Sequence, residues 1–223
     1  MINLIDTSKQ YKINNNHTVK AINNINLSIK EGELVVLKGS SGSGKSTILS
    51  LIAGMTKPTS GEVVVDKKRI SKLPDKFLSL YRRENIGFIF QKYNLLPNLT
   101  VQDNIILPLV PNNPNENDIK SKLEEVLAMF EISSKKDIVV KNLSGGEQQR
   151  VAISRALING PKIIIADEPT ANLDEKLSLE FINILKELKK TNKTIIVATH
   201  DPLFFKLDFV DRIVEVKSGN IVK

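Results

Sequence analysis

The 223-residue chain contains no cysteine, which excludes disulfides, thiolate-metal centres and cysteine nucleophiles and leaves a reducing compartment open. No apolar run approaches the ~18 residues that cross a bilayer. The first residues, MINLIDTSKQYK, have neither the basic nor the apolar region of an export signal, so a cytosolic location is expected. Internal repeats and sustained heptads are also absent. The composition is that of a folded globular protein: 41% hydrophobic and 26% charged residues are too apolar a mixture for a disordered chain. A formal charge of +7, from 32 Lys+Arg against 25 Asp+Glu, suits an anionic partner such as a nucleotide, an acidic lipid surface or nucleic acid. A solvated lysine-rich surface explains it equally well, so charge alone selects no function.

LVVLKG (34–39) is a short β-branched run ending in glycine, and KSTILSLIAG (45–54) follows with helical spacing and a closing glycine. That order predicts strand, glycine loop, helix. IIIAD (163–167) and TIIVATH (194–200) are continuous apolar runs, as expected of strands buried on both faces of a parallel sheet. Between them Leu177, Phe181, Ile184, Leu185 and Leu188 share one helical face, completing a βαβ unit. AINNINLSI (21–29) and GEVVVD (61–66) predict strands of a flanking antiparallel sheet. Ile119, Leu123, Val126, Leu127 and Phe130 form a second helical stripe, preceded by an exposed connector, PLVPNNPNEND (108–118).

Gly39-Ser40-Ser41-Gly42-Ser43-Gly44-Lys45-Ser46 fits G-x-x-x-x-G-K-[ST] and lies between a predicted strand and a predicted helix, the context that gives the match meaning. Backbone N–H groups of such a loop close around phosphate oxygens at a helix amino terminus. Lys45 is expected to reach the β/γ-phosphates and Ser46 to bind Mg²⁺; the alternative is a glycine-rich turn beside a surface lysine. IIIADE supplies Asp167 and Glu168 at a strand end. Alone, such a pair reads as a solvated turn or helix start. Beside a P-loop, Asp167 can hold Mg²⁺ through its water shell while Glu168 polarises an attacking water.

LSGGEQQR (143–150) opens another helix with a capping box, Ser144 to Glu147, but a cap has no need of glycine at the two positions that follow it. Close approach of an anion to the backbone would need them at Gly145 and Gly146. With the P-loop and the acidic strand end, this stretch makes the sequence resemble the ATP-binding cassette (ABC) ATPases over nearly its whole length. In that family LSGGE is the signature motif and contacts the γ-phosphate bound by the opposite subunit.

The resemblance implies an α/β fold, a P-loop NTPase of ABC type: a RecA-like parallel-sheet core with an antiparallel β-subdomain (about 1–91 and 161–223) and an inserted helical subdomain (about 92–160). It implies ATP and Mg²⁺ as ligands. Tyr11 matches the aromatic that stacks on adenine, although an ordinary strand tyrosine remains open. Gly42 and Thr47 join the phosphate cradle, and Gln91 in GFIFQ matches the Q-loop glutamine that touches Mg²⁺. His200 matches the switch histidine at the γ-phosphate, and Asp174 in ANLD the aspartate that communicates between subunits. Ser144, Gly145, Gly146, Glu147 and Asp174 are thus expected to act in trans within a homodimer formed on ATP binding. His17, in the polar NNNHT segment, is given no role.

ENIGFIFQKYNLLPNLTVQDNIILPL (84–109) further resembles the branch that includes the LolD, MacB and FtsE types, with Ala171 standing where glycine is frequent. Such ATPases power separate few-helix permeases, with a coupling helix seated near Gln91 and the ATPase peripheral on the inner face of the membrane. An FtsE-like role, regulating a membrane protein in cell-wall remodelling without transport, stays open. A DNA-associated ABC ATPase is set below both, and no nucleic-acid partner is expected, because that class inserts long coiled coils or zinc modules.

Overall fold

The computed structural model describes residues 1–14, 17–112, 114–171 and 173–222. The centre of the NNNHT segment, one asparagine of the 108–118 connector and the asparagine of ANLD lie outside the described residues. The chain opens with a long hairpin, β1 (Ile2–Asn14) and β2 (His17–Ile29), followed by β3 (Leu34–Lys38) and helix α1 (Lys45–Ile52). Next come β4 (Ser60–Val65), β5 (Lys68–Arg69), α2 (Asp75–Asn85) and β6 (Ile86–Ile89). Three helices follow, α3 (Val101–Ile106), α4 (Glu116–Met129) and α5 (Gly145–Leu157). The chain returns through β7 (Ile163–Asp167), α6 (Glu175–Lys190), β8 (Thr194–Thr199), β9 (Arg212–Lys217) and β10 (Asn220–Ile221).

Two sheets result. In the larger, ordered β10-β9-β3-β8-β7-β6, neighbouring strands pair in parallel except the edge strand β10. The smaller, β2-β1-β4-β5, is antiparallel throughout. Alternation along β3 shows why the parallel sheet is apolar on both faces. Val35 and Leu37 enter a layer filled by α1 and the antiparallel sheet, while Leu34 and Val36 enter the opposite layer, filled by α5 and α6. Each such side chain, fully buried, contributes roughly 1.5–3 kcal/mol.

On α6 the buried face is turned slightly from the predicted one. Phe181, Leu185 and Leu188 are buried as expected, but Ser178 and Ile182 complete the face, leaving Leu177 and Ile184 half-buried. A third cluster, around Val101, Ile105, Leu123 and Leu127, lies in the α3–α4 region. Helix α5 joins the two layers: Val151 belongs to the third cluster, whereas Ile153 and Leu157 pack under the parallel sheet. No helix among the described residues is long and apolar enough to cross a membrane.

Parallel pairing has one consequence for chemistry. The pairs Lys38↔Thr199 and Asp167↔Ala198 bring the carboxyl ends of β3, β7 and β8 to one edge of the sheet. The residues that follow, Gly39, Glu168 and His200, therefore leave the core side by side, at the edge where parallel α/β sheets bind ligands.

Candidate active site

The loop after β3 turns into α1 through two glycines in left-handed conformation, Gly42 at φ 76° and Gly44 at φ 109°. At Gly44 a β-carbon would lie 2.7 Å from the Ala21 carbonyl oxygen, so the hairpin strand β2 presses directly on the loop. Buried Lys45, 5% exposed, turns back into this loop: Nζ donates to the carbonyl oxygens of Gly39 at 2.7 Å and Ser40 at 3.1 Å. The Ser43 hydroxyl is buried without a hydrogen-bond partner among the described residues, which leaves it available to an anionic oxygen.

At the end of β7, Asp167 Oδ1 accepts the Ser46 hydroxyl at 3.0 Å. Burial raises the Asp167 carboxyl, assisted by the neighbouring Glu168 charge and opposed by Ser46 and Lys45. Glu168 adopts the left-handed region, φ 45°, a strained setting often found at functional positions. Its carboxylate bridges two bases: Oε1 is 3.1 Å from Lys45 Nζ and Oε2 is 3.0 Å from His200 Nδ1. Burial pushes Glu168 up, but the hydrogen bonds and charges of His200 and Lys45 outweigh it and hold the group below the ordinary carboxylate range. With Nδ1 turned to the carboxylate, His200 keeps Nε2 for the cleft, and its side chain is 64% exposed.

A cleft of about 400 Å³ is lined by Tyr11, Ser41, Gly42, Ser43, Gly44, Lys45, Ser46, Thr47, Gln91, Glu168 and His200; the predicted Gly39, Ser40 and Asp167 are not part of its lining. Tyr11 is exposed and pairs across the hairpin with Val19, while the Lys9 ammonium sits 5.0 Å from its ring centroid. Val19, Lys20 and Ala21 also line the cleft and were not singled out in the sequence. Their signal is indirect, since only the hairpin register sets Val19 opposite Tyr11 and so brings this part of β2 to the cleft.

Ser144, Gly145, Gly146, Glu147 and Asp174 do not line this cleft. The capping box is present: Ser144 N–H and Oγ–H donate to Glu147 Oε2 at 2.8 and 2.9 Å, and Glu147 N–H donates to Ser144 Oγ at 3.4 Å. The Ser144 backbone N–H and hydroxyl, with Lys135 beside them, hold the Glu147 carboxyl below its ordinary range. Sequence reasoning gave both glycines one reason, but their surroundings differ. A β-carbon at Gly145 would meet nothing within 4 Å, whereas at Gly146 it would lie 2.7 Å from Leu177 Cδ2. Gly146 thus has a packing reason within its own chain. Asp174 likewise has a local task, capping α6 by accepting the Leu177 N–H at 2.8 Å.

Among the described residues no cluster of three or more His, Cys, Asp or Glu forms a metal cage. The adjacent oxygens of Ser46 and Asp167 nevertheless suit Mg²⁺, which takes one or two protein oxygens and completes its shell with water and substrate phosphate.

Residues 22–171 match the ABC transporter family. The chain is 42% identical to the ABC transporter ATP-binding protein MJ0796 of Methanocaldococcus jannaschii, over 99% of this chain and 95% of that protein. It is 41% identical to the macrolide export ATP-binding/permease protein MacB of Campylobacter jejuni, over 90% of this chain but 31% of MacB. The solved structure of MJ0796 as a post-hydrolysis dimer bound to ADP and Pi superposes with a TM-score of 0.91, at 41% identity, covering 100% of this chain and 97% of that one.

Proposed function

The chain belongs to the ABC transporter family, and from that membership we propose how its residues divide the work of an ATP-driven transporter subunit. It is the ATP-binding, ATP-hydrolysing subunit, it dimerises, and its partner is a membrane protein. The observation that supports the detailed reading is the split between two sets of residues. Loop, Glu168 and His200 share one cleft, with Asp167 bonded to Ser46 of its wall, while the capped start of α5 lies outside it. A second copy supplies the missing wall.

Within the cleft Tyr11 stacks on the adenine, and the N–H groups at the start of α1 surround the phosphates where the helix dipole favours negative charge. Lys45 exchanges its loop carbonyls for phosphate oxygens, and Ser43 Oγ gains the partner it lacks among the described residues. Ser46, Asp167 and Gln91 would hold Mg²⁺, which when bound offsets charge on the β- and γ-phosphates. Glu168, kept ionised by His200 and Lys45, accepts a proton from the attacking water, and His200 Nε2 faces the γ-phosphate. From the other copy, Ser144, Gly145, Gly146 and Glu147 close over that phosphate, and Asp174 lies at the seam.

The membrane partner has a candidate seat. A groove of about 660 Å³ beside the turn that carries Gln91 is walled by Phe88, Phe90, Pro108 and three arginines, Arg82, Arg83 and Arg155. These guanidinium groups donate to the neutral oxygens of Gly54, Asn112, Tyr93 and Asn94, and none reaches a carboxylate among the described residues. The groove suits a short amphipathic permease segment that carries acidic side chains. Glu168→Gln tests the two-copy site: with ATP present it should accumulate a dimer by light scattering, and a persistent monomer at saturating ATP would refute it.

A further inference from the structure

We propose that Arg155 is a positioning residue: its guanidinium locks the turn carrying Gln91 to the carboxyl end of α5. The inference rests on the role for Gln91 proposed above. Phe90 O accepts the Tyr93 N–H at 3.0 Å, so Gln91 and Lys92 are the central residues of a tight turn directly after β6. The chain leaves that turn through two successive left-handed residues, Tyr93 at φ 59° and Asn94 at φ 50°. Asparagine tolerates this region, whereas tyrosine seldom adopts it.

Arg155 holds both residues in place. Its Nη2 donates to Tyr93 O at 2.6 Å and its Nη1 to Asn94 O at 2.7 Å, so one planar fork fixes two consecutive carbonyls. A second contact pins the same strand to the same helix. At Gly87 a β-carbon would lie 2.4 Å from the Ala156 carbonyl oxygen, so β6 touches α5 one residue from Arg155. The turn therefore moves with α5.

Thirteen helical residues span about 20 Å. One end of that rod begins at Ser144 and faces the neighbouring copy; the other end holds Gln91 at the chain's own cleft. A displacement felt at either end is carried to the other without a flexible link.

The test compares steady-state ATPase of the full chain with Arg155→Ala, Arg155→Lys and Gln91→Ala, alongside thermal melting and binding of a fluorescent ATP analogue. Arg155→Ala should lower kcat about tenfold, equivalent to about 1.4 kcal/mol in the barrier, while KM and analogue affinity stay within about threefold. Arg155→Lys, with one ammonium for two carbonyls, should fall between. Adding Tyr93→Gly and Asn94→Gly to Arg155→Ala should recover part of kcat, because glycine takes the left-handed turn unaided; beside an intact Arg155 the glycines should change little. An unchanged kcat in Arg155→Ala, a loss that follows melting temperature, or no recovery with the glycines would overturn the proposal. Full activity in Gln91→Ala would instead remove its premise, and loss there without loss in Arg155→Ala would remove only the clamp.

Discussion

Alanine at Gly145 and at Gly146 should give different effects on stability, although both glycines open the same helix. Gly145 is exposed and a β-carbon there meets nothing within 4 Å, so Ala costs no packing and gains helix propensity, up to about 1 kcal/mol in a helix interior and less in a first turn. Gly146 is buried, and its β-carbon would stand 2.7 and 3.0 Å from the two δ-carbons of Leu177. Overpacking costs about 1–3 kcal/mol, and the half-buried Leu177 can swing aside, so the low end applies. Against the same propensity gain, Gly146→Ala should therefore come out near neutral, on the order of 1 kcal/mol less stable than Gly145→Ala, and in a Leu177→Ala background that difference should vanish because the space is open. Urea unfolding measures both. ATP-trapped dimerisation in a Glu168→Gln background then separates folding from assembly. Gly145→Ala should unfold at or above the parent midpoint yet lose dimer and turnover, because in the proposed dimer its methyl group would face the neighbouring copy's phosphate. Equal unfolding midpoints for the two alanines, or a difference that persists in the Leu177→Ala background, would refute the packing argument, while full turnover in Gly145→Ala would refute the trans contact.

Two other perturbations follow from the same geometry. His200 helps hold Glu168 below the ordinary carboxylate range, and the base role proposed for Glu168 needs the ionised form, so activity should be lost as pH falls through the Glu168 pKa. Removing His200 raises that pKa, so the acid limb of residual kcat in His200→Ala should move to higher pH; an unmoved limb would show that Lys45 alone sets it. Stability has the same sign: the Glu168 contribution is complete above its unfolded-state pKa and is lost as pH falls through the folded value. Gly87→Ala places a β-carbon 2.4 Å from a main-chain oxygen and 2.8 Å from Pro161 Cγ, neither at the end of a flexible side chain. A loss near 3 kcal/mol is expected from the urea midpoint at unchanged slope, and a loss below about 1 kcal/mol would contradict the close approach of β6 to α5.

The parts of this fold that were readable in the sequence are those whose cause is local. LVVLK, IIIAD and TIIVAT announce buried parallel strands because both faces must be apolar, and the P-loop and capping box are spacings along one segment. Strand β1 was not readable. Four register shifts against β2, with Asp6 and Asn24 in left-handed conformation, break the alternation that would have marked it. Helix α2 was missed for a different reason: only Leu78 and Tyr81 are buried, while the exposed Phe77 and half-buried Leu80 spread its apolar residues around the helix and blur the stripe. At the site, the sequence offered Lys45, Ser46, Glu168 and His200 as candidates but not the contacts among them. The bridge from Lys45 through Glu168 to His200 depends on strand order, and the Arg155 fork joins positions 62 apart. Such contacts arise only when the sheet brings distant strand ends together.

The start of α5 also shows why a carboxylate can stand beside a segment proposed to approach phosphate. The first N–H groups of a helix have no intrahelical acceptor. The capping box occupies the one at Glu147, which leaves those of Gly145 and Gly146 for an outside anion. Glu147 would repel that anion if its charge pointed outward. Instead Oε2 is turned back to the Ser144 N–H and hydroxyl, and Oε1 lies 3.4 Å from Lys135 Nζ. Two donors and an ammonium, together with about half a positive charge from the helix dipole, leave little net negative field along the axis. The acidic residue thus organises the helix start from behind, while Gly145 in front stays exposed for the phosphate that the proposed second copy would bring.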